Sequence, residues 1–208
     1  AMPNATGSTR VAGVMGPTCA RSAQNYAQLV GAALGYTVRD VSCGGSTVGL
    51  AYLRGQLNAV TPDAKLVLLT LGGNDSLAVG GIMCMMDRAC RPFAPVVNTT
   101  ISALLYTVQP KLQLLLADIA RRAPQAQIRI AGYPYVIAPA GQPLAQCAAF
   151  MTRADQGLVT HLQARLNGAI AGAARLSGPR VKYVDPTAPG SPFMATDNGV
   201  PRDGCSTN

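Results

Sequence analysis

Tryptophan is absent from this 208-residue chain, aromatic residues make up only 5% of it, and charged residues only 12%. Without aromatic stacking platforms there is nothing on which to hold single-stranded nucleic acid. Basic residues outnumber acidic ones, 17 to 9, for a net charge of +8, yet Arg121-Arg122 is the sole adjacent pair. Scattered in this way they describe a basic solvated surface, and no nucleic-acid partner is expected. A single histidine and the lack of any C-x-x-C pair remove the usual zinc ligand sets, so no metal or organic cofactor is expected. No apolar stretch approaches the roughly 20 residues that span a bilayer, so no transmembrane segment is expected. No leader precedes Ala1, and the chain reads as a mature or trimmed form.

What is present is apolar: 49% of the residues, enough for one sizeable core and a single domain over residues 1–208. Six cysteines stand at 19, 43, 84, 90, 147 and 205. An even count in a loop-rich chain suggests three disulfides and an oxidising, secreted or periplasmic setting. Local logic pairs Cys84 with Cys90 across a short loop and Cys19 with Cys43 between neighbouring segments. Cys147 and Cys205 are then left for each other.

Five candidate strands alternate with helical patterns. Tyr36–Ser42 alternates and is rich in β-branched residues, and Leu66–Leu71 is a continuous apolar run suited to a central parallel strand. Gln127–Gly132 and Val181–Asp185 repeat the pattern, and the weak, polar stretch Pro3–Thr6 would be the first strand. Ser22 is a candidate N-cap for a helix carrying Tyr26, Leu29, Val30, Ala33 and Leu34, stopped by Gly35. Apolar residues recur at helical spacing from Ile101 to Ile119, where Pro110 must kink or split the element. A third helix carries Leu158, Leu162, Leu166, Ala169, Ile170 and Ala173 on one face. Such alternation implies βαβ units and a parallel sheet covered on both faces.

Three glycine-containing turns follow the first three strands: 7–13, 42–47 and 72–75. All would lie at the carboxyl ends of parallel strands, where open α/β sheets bind ligands. Small residues there let backbone N–H groups approach a substrate. A hydroxyl on the first turn would attack a carbonyl, and backbone N–H groups with the Asn74 amide would hold the resulting oxyanion. Asp75 either carries catalytic charge or braces the loop, and the usual turn roles of aspartate favour the brace. Tyr133-Pro134-Tyr135 lines a pocket or packs a turn, while Met83, Met85 and Met86 either offer an apolar lip for acyl chains or simply pack. Asn98-Thr99-Thr100 is a glycosylation sequon.

The blocks Gly72-Gly73-Asn74-Asp75 and Ser42-Cys43-Gly44-Gly45-Ser46-Thr47, with the run Cys19–Tyr26 and the cysteine placement, resemble the SGNH (GDSL-type) hydrolases, in particular their secreted three-disulfide esterases and lipases. The resemblance covers roughly residues 7–205. It implies a flavodoxin-like three-layer α/β/α sandwich around a five-stranded, mainly parallel sheet. The implied activity is hydrolysis of acyl or acetyl esters, on small-molecule, lipid or glycan carriers. Gly45 and Asn74 would be oxyanion donors. The family's first block, G-D-S-x-x-(A/S)-G, falls on Gly7-Ser8-Thr9-Arg10-Val11-Ala12-Gly13, which sets Thr9 at the nucleophile; an alternative register sets Ala5 there, and both glycines with Ala12 favour Thr9. The family's base is a histidine in a C-terminal D-x-x-H block, whereas His161 falls within the third helix and reads as a surface or boundary residue. At the C-terminus, either Asp203 keeps the aspartate and Ser206 replaces the histidine, or Cys205 matches the cysteine upstream of that block and the chain stops before it. Both readings leave the base missing. A catalytically degenerate domain that binds a ligand, glycan or protein partner is therefore the alternative to an ester hydrolase.

Overall fold

The computed structural model describes Cys19 and residues 21–87, 89–143, 151–191, 196–197 and 200–201. Three strands, β1 (Leu66–Leu69), β2 (Gln127–Ala131) and β3 (Val181–Val184), form a parallel sheet in the order β1-β2-β3. Leu66 pairs with Gln127 and Ile128 with Val181. A separate antiparallel pair joins β4 (Thr196–Asp197) to β5 (Val200–Pro201). The five-stranded parallel sheet is thus reduced to three strands among the described residues. Pro3–Thr6 lies outside them.

Residues 36–42 are described, and they do not form the expected strand. Their alternation is right, but at the end of the stretch side chains take the backbone groups of Val41 and Ser42. Arg21 Nε donates to the Ser42 carbonyl, Gln56 Nε2 to the Val41 carbonyl, and the Ser42 N–H turns back onto the Asp40 carboxylate. Such local bonds compete directly with strand pairing.

Among the described residues five α-helices accompany the strands: α1 (Tyr26–Leu34), α2 (Val48–Leu53), α3 (Ala78–Met86), α4 (Ala94–Arg122) and α5 (Arg153–Leu176). Asn25, not Ser22, caps α1. Its side chain accepts from the Gln28 N–H while its amide nitrogen donates to Asp40 at 2.7 Å, fixing the start three residues later. Gly35 ends α1 in the left-handed region as expected, at φ 66°. Pro110 does not split α4, which runs through it unbroken. At the far end of α4, Arg180 donates to the carbonyls of Ala120, Ala123 and Ala126, satisfying acceptors that a helix end leaves open. A capping box of Thr152 and Asp155 starts α5.

α4 and α5 pack against each other and α5 against β2 and β3. Between them lies the core of Leu112, Leu116, Ile128, Ile130, Leu162, Leu166 and Ile170, all buried. Burial along β2 alternates, with Ile128 and Ile130 inward and Arg129 half-buried. Disulfides join Cys19 to Cys43 and Cys84 to Cys90, as expected; Cys147 and Cys205 fall outside the described residues.

Candidate active site

β1 delivers the chain to the carboxyl edge of the sheet, and the segment from Gly72 to Leu77 turns it into α3. Gly72 sits at φ 114°, where a β-carbon would lie 3.0 Å from Val108 Cγ1 and 3.4 Å from Leu112 Cδ1. Only glycine fits that backbone against α4. Leu77, at φ 57°, is the one non-glycine residue in the left-handed region among the described residues. The turn between them is braced from within by the fully buried Ser76. Its Oγ donates toward the Gly72 and Gly73 carbonyls and accepts from the Ala78 N–H.

Two partners clamp this turn from outside. Asn74 Nδ2 donates to the Ser46 carbonyl at 3.1 Å. Both carboxylate oxygens of Asp75 accept from the Val48 N–H, at 3.0 and 3.1 Å. Val48 opens α2, so the carboxylate also sits at the positive end of a helix, a favourable place for negative charge. Burial nonetheless raises the Asp75 pKa, against the opposing pull of the Val48 N–H and Lys111. Asp75 is therefore the loop brace expected of it. Tyr133, just after β2, adds a third hold: its hydroxyl accepts from the Gly73 N–H at 3.1 Å. Burial raises the pKa of that hydroxyl, so it stays protonated. The Tyr133 backbone is fixed in turn by Asn167, which accepts from its N–H and donates to its carbonyl.

Gly45 stands on the facing turn at φ 73°, next to the Ser46 that Asn74 grips. A β-carbon built on Gly44 or Gly45 would meet nothing within 4 Å among the described residues. An amide NH₂ carries two N–H bonds, and the Ser46 carbonyl takes one of them.

The structure thus brings Gly45 and Asn74 together. Thr9 and the rest of turn 7–13 lie outside the described residues. His161 is exposed on α5. Of the methionines, Met85 is buried in the core rather than forming a lip. The roles of Ser76 and Tyr133 were not legible from the sequence; the bond that uses Tyr133 spans 60 positions. Among the described residues no cluster of three or more His, Cys, Asp or Glu could hold a metal ion, and no helix is long and apolar enough to cross a membrane.

A parallel α/β sheet that carries a glycine-asparagine block at its carboxyl edge places that block where open α/β folds bind their ligands. Residues 6–207 match the GDSL-like lipase/acylhydrolase family, and the chain belongs to that family. It is 28% identical over 189 residues to Lipase 2 of Streptomyces coelicolor, a match covering 80% of this chain and 61% of that relative. The fold is similar to that of the extracellular lipase from Streptomyces rimosus, with a TM-score of 0.70 and 22% identity over 86% of this chain and 77% of the other. It is also similar to phospholipase A1 from Streptomyces albidoflavus, with a TM-score of 0.68 and 23% identity over 85% and 75% of the two chains.

Proposed function

We propose that this chain is a secreted ester hydrolase of acyl or acetyl esters, in which Thr9 is the acyl acceptor and Gly45 and Asn74 hold the oxyanion. The observation that carries this reading is the immobilised Asn74 amide beside the Gly45 turn, clamped through Asp75 and Val48. Donors that are already fixed cost no reorganisation when charge develops on the carbonyl oxygen. The lipase and phospholipase names of its relatives support the substrate class. The extracellular origin of one of them, with the two disulfides, supports secretion.

Turnover would be modest. The β-methyl of threonine restricts χ1 and crowds the attack trajectory. Within residues 1–208 the one histidine, His161, lies exposed on α5. An oxyanion hole and binding alone retain roughly 10³–10⁴-fold acceleration over water when a triad member is lost. That same histidine favours the second reading, a degenerate domain that binds a ligand through the old site.

Hydrolysis of p-nitrophenyl acetate and butyrate by the wild type, Thr9→Ala and Asn74→Ala separates the two. An ester hydrolase turns the substrates over, loses activity in Thr9→Ala, and falls by roughly 10²–10³-fold in Asn74→Ala. Equal background rates in all three proteins would leave a binding domain or an enzyme cut short of its catalytic block.

A further inference from the structure

A cavity of about 250 Å³ opens between α5 and the segment that leaves β3, and none of residues 72–77 lines it. Its floor is Ala164, Gly168 and Ala171, small residues at helical spacing on α5. A β-carbon on Gly168 would meet nothing within 4 Å, so the protein leaves that floor uncovered among the described residues. Tyr135 and Tyr183 line the cavity. Asp185 and Thr187 line it as well, and they are bonded to each other. Asp185 Oδ1 accepts from the Thr187 N–H at 2.8 Å and its hydroxyl at 2.7 Å, which orients the carboxylate and leaves Oδ2 to accept from a ligand.

The chemistry narrows what fits. Among the described residues no lysine or arginine lines the cavity, and Asp185 repels anions, so a phosphate or carboxylate ligand is unsuited. Burial first, and then Asp185, pushes the Tyr183 hydroxyl up to about 12, so it remains a protonated donor across the physiological range. An oriented carboxylate, phenolic hydroxyls and aromatic rings over a floor of small residues suit a neutral polyhydroxylated ring, with its C–H face on tyrosine and its hydroxyls on the polar groups. An organic cation would also suit tyrosines and a carboxylate, but a net charge of +8 opposes its approach. A second groove of about 530 Å³ shares Ala171 and Tyr183 and continues past Lys182, giving room for a chain longer than one ring.

We propose that this cavity is a binding site for a neutral glycan, with one sugar ring seated against Tyr135 and Tyr183 above Gly168 and hydrogen-bonded to Asp185. The proposal goes beyond the ester-hydrolase reading and does not depend on it. Saturation-transfer NMR on the full chain tests it, with soluble hexamers of glucose, xylose, mannose and N-acetylglucosamine, and tetramethylammonium as the cationic probe. Transfer to at least one oligosaccharide is expected, reduced five-fold or more in Gly168→Leu, which fills the open floor without removing a contact. Thermal melting checks that this variant folds; if it melts low, Asp185→Ala, on the exposed segment after β3, takes its place with the same expected loss. Transfer to no sugar, transfer to tetramethylammonium alone, or undiminished transfer in the folded variant would overturn the proposal.

Discussion

At the scale of single residues, Asp75 holds two turns in register through one backbone N–H, and it does so at an electrostatic cost. Its carboxyl lies above the ordinary 3.8 because burial outweighs the Val48 bond and Lys111. A raised folded value means that ionisation costs the folded state more than the unfolded chain. Its contribution to stability is complete below about 3.8 and is lost as the pH rises through the raised value. Urea denaturation of the wild type and Asp75→Asn across this range should therefore show the wild type losing ground to the variant as pH rises; a growing wild-type advantage would mean that the Val48 bond dominates. Gly72→Ala should destabilise by about 1–3 kcal/mol, through a positive φ and a forced contact with Val108, and shift the urea midpoint with little change in slope. The turn from Gly72 to Asp75 was legible in the sequence because strand, glycines and amide are contiguous in it. The hold of Tyr133 on Gly73 was not, because a bond between residues so far apart leaves no local pattern.

Among the elements, α4 shows why a proline is an ambiguous reading. Pro110 lacks an N–H for the carbonyl four residues earlier, that of Tyr106, and its ring crowds that carbonyl. Tyr106 is 78% exposed, so water reaches this stretch of the helix. Beyond the proline, Leu112, Leu115, Leu116 and Ile119 are all buried, and their packing carries the helix through. Pro110→Ala should restore the missing bond and raise stability by about 1–3 kcal/mol, read as a higher melting temperature with slightly greater helicity. Periodicity revealed where α4 and α5 run because their buried faces repeat over many turns. Residues 36–42 show the reverse case, in which a correct alternation was defeated by bonds to Arg21, Gln56 and Asp40 that no periodicity records.

At the scale of the whole molecule, two disulfides constrain chain lengths that differ fourfold, with separations of 24 and 6 residues. Loop-closure entropy assigns about 3.5 kcal/mol to Cys19–Cys43 and about 2.3 kcal/mol to Cys84–Cys90. Replacing the first pair by alanines should lower the melting temperature more than replacing the second, as calorimetry would show. The α/β class was legible because strands and helices alternate along the chain. The same alternation shapes how the molecule is made. β1 reaches its partner β2 only after α3 and α4 have been built, and β2 reaches β3 only after α5. No strand of this sheet can zip up with its neighbour through a hairpin, so pairing waits on distant segments and folding belongs on the millisecond-to-second scale. During that wait Leu66–Leu69 and the Ile128–Ile130 stretch are bare apolar edges. The yield of refolded protein should fall as its concentration rises, because another copy can arrive before the chain's own partner strand does.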